Sequence, residues 1–301
     1  MLLRARDHRL ELVGRPLLMG IVNATPDSFS DAGQREGPDQ LVAHGRELLA
    51  AGADILDVGG ESARGDTPTV PVEEEIERVV PVVERLTGQC ALVSVDTHKA
   101  AVAEAALAAG AAIVNDVSGL RDPALAELCA RTGAALVLVH TRVRPKGTLL
   151  DPGAYDDVVA DVYDFLRRRM AAARAAGVAD EQLILDPGPD FAKTPAQTIR
   201  VLRRLDVLHA LGRPILLAAS RKDFLGAITG REPGARDAAT LAAVEWGVQA
   251  GVQILRVHDV AAAADYLSVR EVLRGERELA AAEGLTPDRY PDGPPPHVPL
   301  D

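Results

Sequence analysis

The sequence predicts a single (β/α)8 TIM barrel, and three observations carry that prediction. Short apolar runs of strand length alternate with helix-length amphipathic runs, eight of each over about 250 residues. The apolar runs are continuous, as in strands buried on both faces of a parallel sheet. Nearly every run ends on a polar residue followed by a loop, where barrels and open α/β sheets keep their chemistry. A doubly wound open sheet would share these features, but no glycine-rich dinucleotide fingerprint follows the first strand.

In chain order, residues 1–15 form an N-terminal segment whose alternating piece at 8–13 reads as a strand capping one end of the domain. The barrel then occupies 16–275. Its first strand, 17–22, starts behind Pro16, ends on Asn23 and enters a loop of Thr25, Pro26, Asp27, Ser28, Phe29, Ser30 and Asp31. A helix at 39–51 stops at Gly52. The second strand, 54–58, leads to Gly59, Gly60 and Glu61, and the helix at 73–86 opens on Glu73, Glu74 and Glu75, where the macrodipole favours anions. Strand 91–95 has Asp96 at its tip, helix 99–109 follows, and strand 111–114 ends on Asn115 and Asp116. A helix at 123–131 leads to the strand 134–139, which ends at His140. After a longer loop, 141–153, come a helix at 155–176 and strand 182–185 with Asp186-Pro187-Gly188. Helix 195–211, strand 214–219 with Ser220-Arg221-Lys222, helix 236–250, strand 253–257 with His258 and Asp259, and helix 261–273 complete the series. Residues 276–301, rich in Pro and Asp from 285 onward, read as a mobile C-terminal tail.

Composition supports one large core: 47% of residues are hydrophobic, 26% charged and only 3% aromatic. The net charge of -11 argues against general binding to nucleic acid or acidic membranes and leaves room for a local basic pocket. Cys90 and Cys129 lie in apolar surroundings without metal-ligand spacing and read as reduced core thiols. With no signal-like segment and no long uncharged apolar run, the expectation is a soluble, cytoplasmic protein that does not enter membranes.

The strand-end positions give Asn23, Asp57, Glu61, Asp96, Asn115, His140, Asp186, Lys222, Arg256 and His258, with Arg64 added from the second loop. Any one of these could be a helix cap or a satisfied turn, but a polar tip on nearly every strand exceeds what capping requires. The cationic group, Arg64, Arg221, Lys222, Arg256 and His258, suits a phosphate or carboxylate. The acidic and amide group, Asp96, Asn115 and Asp186, suits a flat heterocycle with donors and acceptors along its edge.

Seven motifs then occur in order over residues 16–275: NATPDSFSD, DVGGES, SVDT, the Asn115-Asp116 pair, LDPG, SRK and RVHD. Together they closely resemble dihydropteroate synthase. The resemblance implies condensation of 6-hydroxymethyl-7,8-dihydropterin diphosphate with p-aminobenzoate, releasing pyrophosphate, in folate synthesis. It also implies that Asp96, Asn115, Asp186 and Lys222 hold the pterin edge with Arg256 over its face, and that Lys222, Arg256 and Asp96 serve catalysis. Asn23 would help hold Mg²⁺ and the diphosphate, which Arg256 and His258 would also touch. Phe29 and Arg64 would contribute to an aminobenzoate pocket closed by the first two loops, and a homodimer is implied.

Three places depart from the pattern of that family. The second loop reads Ser62-Ala63-Arg64-Gly65-Asp66 where Ser-Thr-Arg-Pro-Gly is usual. The loop after LDPG carries Pro189, Asp190 and Ala192 in place of Ile, Gly and Gly. Asp223 stands after SRK where a small hydroxyl residue is usual, near the aminobenzoate carboxylate in the family. An acid there is expected to oppose that carboxylate and weaken use of p-aminobenzoate, unless it caps a helix or pairs with Arg64 or Arg221. The altered half of the constellation leaves two other readings: a diverged paralogue that binds pterin without making dihydropteroate efficiently, and a pterin-dependent corrinoid methyltransferase domain. The latter is disfavoured by the intact SRK and first-loop motifs.

Overall fold

The structure, a computed structural model, describes residues 1–25, 37–62, 67–89 and 91–279. The chain opens with an antiparallel hairpin of β1 (Leu2–Ala5) and β2 (His8–Glu11), turning at Arg6 with φ 54°. The strand expected at 8–13 is therefore the second arm of a hairpin. Its first arm was not anticipated, because four residues with one arginine give too short an alternation to read. That alternation is real: Leu3 and Ala5 are fully buried and join Met19, Ile55, Ile113, Ala135, Ile184 and Ile254 in one core cluster. The hairpin thus seals the end of the barrel from which the strands start. Arg6 fastens it there, its backbone N–H donating to Gly133 O at 2.7 Å and its Nη1 to Leu107 O at 2.8 Å.

Eight strands build the barrel: β3 (Leu17–Asn23), β4 (Ile55–Gly59), β5 (Val93–Asp96), β6 (Ile113–Asp116), β7 (Ala135–Val139), β8 (Leu183–Asp186), β9 (Leu216–Leu217) and β10 (Ile254–Val257). They pair in the order β8-β7-β6-β5-β4-β3-β10-β9, every pairing within it parallel. A parallel bridge from Leu185 to Ile215 joins the two ends, and the Leu185 N–H donates to Pro214 O at 2.9 Å. The sheet is a closed ring, and the open-sheet alternative is excluded. β9 is shorter than the expected 214–219: Pro214 has no N–H for the ladder, and the chain turns sharply by Arg221, at φ 58°.

The helices are α1 (Pro38–Ala50), α2 (Val72–Thr87), α3 (Ala100–Ala108), α4 (Ala124–Thr132), α5 (Val158–Ala175), α6 (Pro195–Leu202), α7 (Asp223–Thr229), α8 (Asp237–Gln249) and α9 (Val260–Leu273). Most follow the periodicity, and two differences matter. The helix expected at 195–211 breaks into α6 and a 3-10 stretch, Leu205–Leu211. The break is stabilised by Trp246, whose indole N–H takes the Leu202 carbonyl at 2.7 Å, an acceptor left free at the end of α6. α7 was not anticipated, since seven residues ending at Gly230 (φ 69°) are too few to show a period.

Contacts divide the chain into two compact units, Met1–Ala264 and Asp265–Asp301. The first contains the hairpin and the whole barrel sheet. Within the second, Arg270 and Arg274 both pair with Glu276, at 3.2 and 2.8 Å. The tail expected at 276–301 lies outside the described residues from 280 onward. Among the described residues, no helix is long and apolar enough to cross a membrane.

Candidate functional site

Because the strands are parallel, their C-terminal ends open on one mouth, and register sets what meets there. Asn23 pairs with Gly59, Gly59 with Asp96 and Asp96 with Asn115, so three polar tips stand in one row. Beneath them Arg256, on β10, reaches across the barrel. Its Nε donates to Asp57 Oδ2 at 2.6 Å and its Nη2 to Asp96 Oδ2 at 2.9 Å, while Asn115 Nδ2 donates to the same Asp57 oxygen at 3.0 Å. The guanidinium is thereby fixed in plane, and the two carboxylates hold its already high pKa higher still against burial. Burial drives the Asp96 carboxyl up to about 7 in spite of Arg256, with Asp57 and Glu75 adding to the rise. Two buried acceptors in this cluster, Asp57 Oδ1 and Asn115 Oδ1, have no hydrogen-bond partner among the described residues.

The loop after β8 supplies the next group. Asp186 is 3% exposed and accepts the Gly188 N–H at 2.7 Å. Burial lifts its carboxyl to about 6, with the Gly188 N–H, Lys222 and Lys193 pulling the other way. Gly188 has φ 63°, and a Cβ there would lie 2.1 Å from the His140 carbonyl oxygen, so only glycine fits. Lys193, 1% exposed, stands behind this loop, its ammonium donating to Gly188 O at 2.8 Å, Phe191 O at 3.1 Å and His140 Nδ1 at 2.7 Å. His140 therefore carries its proton on Nε2 and donates to Asp161 Oδ1 at 2.9 Å. Burial pulls Lys193 down to about 7, and burial with Lys193 beside it pulls His140 down to about 4. On the open side, Lys222 Nζ sits 4.3 Å over the Phe191 ring, and burial lowers its pKa against the attraction of Asp190 and Asp186.

A second network anchors both ends of the loop after β4. Lys99 Nζ meets Glu61 Oε2 at 2.6 Å, Glu75 Oε2 at 2.5 Å and Val70 O at 2.6 Å, while Thr97 Oγ1 donates to Glu75 Oε1 at 2.7 Å. Lys146, from the loop after β7, adds a 3.0 Å pair to Glu61 and bonds at 3.0 Å to Thr67. A cleft opens between these parts, lined in part by Asp96, Thr97, Val117, Phe191, Glu61 and Lys146.

The structure thus joins Asp96 and Arg256 by a direct bond, links Asn115 to Arg256 through their shared partner Asp57, and places Asp186 and Lys222 close enough to act on one another electrostatically. Asn23 lies half-buried at its strand tip in the same row. The cationic group is less available than its composition suggested. Arg221 is held by Asp237 at 2.8 Å, Arg256 by its two carboxylates, and His258 is neutral: burial, with Arg256, Arg221 and Lys222 nearby, pulls it to about 3. His258 Nδ1 rests 2.8 Å from Ser220 Oγ. Asp223 occupies the first turn of α7 with its side chain 84% exposed and pairs with Arg236 at 3.1 Å, while Arg221 pairs with Asp237 instead. Phe29, Ala63, Arg64, Gly65, Asp66 and Cys90 lie outside the described residues, and Cys129 is a buried free thiol whose pKa burial raises to about 12. The residues not foreseen are Lys193, Lys99, Lys146 and the buried role of Glu75. Glu75 is 1% exposed, so the triple glutamate is not simply a solvated first turn. The only signal for Lys99 was its place three residues past Asp96.

Comparison with known proteins agrees with this mouth. Residues 19–258 match the pterin binding enzyme family. The dihydropteroate synthase of Bacillus subtilis is 42% identical over 248 residues, 82% of this chain and 84% of that protein. A probable bifunctional folylpolyglutamate synthase/dihydropteroate synthase of Haloferax volcanii is 46% identical over 246 residues; the match covers 81% of this chain but spans 29% of the relative. Among solved structures, the Xanthomonas albilineans dihydropteroate synthase with 4-aminobenzoic acid gives a TM-score of 0.84 at 45% identity, covering 91% of this chain and 99% of that one. The same enzyme in complex with 7,8-dihydropteroate gives 0.80 at 44% identity, covering 90% and 98%. A closed parallel barrel with an acceptor-rich mouth, matched over most of its length in sequence and in shape, leaves one assignment: the chain belongs to the pterin binding enzyme family, among the dihydropteroate synthases.

Proposed function

We propose that this protein condenses 6-hydroxymethyl-7,8-dihydropterin diphosphate with p-aminobenzoate and releases pyrophosphate, a step of folate synthesis. The observation that carries the reading is the pair of buried acceptors without a partner among the described residues, Asp57 Oδ1 and Asn115 Oδ1, beside Arg256. Unpaired buried acceptors are costly unless a ligand supplies donors, and a pterin presents ring and amino N–H groups along one edge. In this reading Asp186, Asn115 and Asp96 hold that edge, Lys222 bonds it from the Phe191 side, and the planar guanidinium of Arg256 lies on its face.

In the reaction, the bond from the pterin methylene carbon to the diphosphate oxygen breaks, its electron pair leaving with pyrophosphate. The arylamine nitrogen then forms the new C–N bond and sheds a proton to water. Positive charge develops on the pterin meanwhile, and a bare guanidinium on its face would oppose that charge. Asp57 and Asp96 neutralise Arg256, so the preorganised field favours the cation instead. His258, neutral and bonded to Ser220, would give the diphosphate a hydrogen bond and no charge.

Magnesium enters as part of the proposal. Asn23 offers an amide oxygen at the mouth, and among the described residues no three His, Cys, Asp or Glu side chains form a cage. That donor set fits an ion that keeps its waters and is carried largely by phosphate oxygens. When bound, it would neutralise the leaving group. Phe29 and Arg64 complete the aminobenzoate side in this reading, and a homodimer in the cytoplasm is its setting. The test is calorimetric titration with the pterin diphosphate, then with p-aminobenzoate in the presence of pyrophosphate, followed by an assay for dihydropteroate. Absence of pterin diphosphate binding at millimolar concentration would refute the reading.

A further inference from the structure

Asp190 is the one acidic residue of the loop after β8 that the reaction does not use, and it sits in the left-handed region that few residues other than glycine adopt. Its φ is 62°, and Ala192, two residues on, has φ 52°. Such left-handed residues persist only where surrounding bonds over-determine them. The bonds are present. The Asp190 N–H donates to Thr198 Oγ1 at 3.0 Å, and the Thr198 hydroxyl donates back to Asp190 Oδ1 at 2.9 Å. Thr198 lies on α6 and is fully buried. The other carboxylate oxygen, Oδ2, accepts the Phe224 N–H at 3.1 Å, one of the free donors in the first turn of α7. Lys222 is the N-cap residue of that helix, and its ammonium lies on the ring of Phe191, the residue next to Asp190.

We infer that Asp190 is a positioning residue for Lys222: its carboxylate latches the start of α7 to α6 and to the β8 loop, so that Lys222 and Asp186 are held at one fixed separation across the pterin site. The inference rests on the pterin reading of that site. The latch works through two bonds of one carboxylate, to Thr198 and to Phe224. It also accounts for the strained φ, since relaxing the backbone would pull Oδ2 away from α7. Charge adds to the effect, because Asp190 is the leading attraction that opposes the lowering of the Lys222 pKa by burial.

Two variants separate the latch from general stability. Asp190→Gly removes the carboxylate but suits the left-handed backbone, so it is expected to fold and to melt within a few degrees of wild type. Asp190→Asn keeps an oxygen for Phe224 and an amide that can face Thr198. With the full chain, Asp190→Gly should raise the KM for pterin diphosphate at least tenfold and leave that for p-aminobenzoate within twofold. Asp190→Asn should recover most of that loss. Amide exchange at Phe224 should quicken in Asp190→Gly and stay near wild type in Asp190→Asn, a readout that does not depend on turnover. Equal pterin KM values in Asp190→Gly and wild type, or a rise shared equally by both substrates, would overturn the inference. Unchanged Phe224 exchange would overturn it as well. If wild type itself takes up no pterin diphosphate, the functional reading fails first and this inference falls with it; wild-type binding together with an unaffected Asp190→Gly condemns the latch alone.

Discussion

Asp186→Asn separates binding from stability in opposite directions. The carboxyl is 3% exposed, and burial lifts its pKa from 3.8 to about 6. A raised folded pKa means the empty protein pays nothing for this group below about pH 4. The penalty grows as pH rises through 6 and is complete at neutral pH. That rise in pKa corresponds to at most about 3 kcal/mol. Asparagine keeps an oxygen for the Gly188 N–H and removes the charge, so the variant should melt several degrees above wild type at pH 7.5, at about 2–4 °C per kcal/mol. The gain should vanish near pH 4.

Binding should move the other way. In the proposed pose the carboxylate takes pterin donors, and each hydrogen bond to a charged acceptor contributes about 1.5–3 kcal/mol. Asparagine turns one acceptor into a donor facing a donor, a loss of about 3–5 kcal/mol, or roughly two to four orders of magnitude in Kd. Calorimetry with the pterin diphosphate reads the second effect and thermal melting at two pH values the first. Wild-type affinity should itself decline as pH falls through 6, where the carboxyl protonates. A variant that binds pterin within threefold of wild type removes Asp186 from the site. One that melts below wild type at pH 7.5 refutes the burial argument.

The other predictions are briefer. Lys193→Met removes an ammonium held by three close acceptors and should destabilise by about 2–4 kcal/mol. Because the folded pKa, about 7, lies below the unfolded 10.5, wild type gains stability from this group as pH rises from 7. The deficit measured by urea unfolding should therefore be larger at pH 9 than at pH 6, and a constant deficit would count against it. Asp223→Ser should change stability by less than about 1 kcal/mol, because an ion pair with an 84% exposed carboxylate is well screened. Its KM for p-aminobenzoate should stay within twofold of wild type, and a clear fall would restore Asp223 to the aminobenzoate pocket. His258, pulled down to about 3, should show no imidazole titration midpoint between pH 5 and 8 by NMR in the ligand-free protein. A midpoint near 6 would return it to the cationic group.

The barrel was legible because its strands are buried on both faces: continuous runs such as 135–139 and 183–186 are apolar up to the tip. Most helices and strands followed from period and punctuation, with most boundaries off by no more than three residues. What stayed hidden was short or conditional on tertiary contact. The first arm of the hairpin has four residues, and α7 has seven. The break after α6 depends on an indole from α8, forty-four positions away, which no local window contains.

The candidate site divides along the same physical line. Strand-tip residues announce themselves, since a polar side chain at the end of an apolar run has no packing reason to be there, and Asp96, Asn115, Asp186 and Arg256 were found that way. Their charge state was not legible. Counting Arg221, Arg256 and His258 as free cations overlooked that Asp237, Asp57 and Asp96 already hold the first two and that burial discharges the third. The sign of a pocket is set by pairing and desolvation, which are properties of the fold and not of composition. Supporting residues were hidden for a related reason. A lysine in a loop reads as solvated, yet Lys193 is buried because the carbonyls of Gly188 and Phe191 and the imidazole of His140 converge on one point. Such convergence arises only once β7, β8 and the strained loop between β8 and α6 are assembled. The sequence can therefore name the groups that face a substrate more readily than the groups that hold them in place, and it is the second set that decides whether the first set acts.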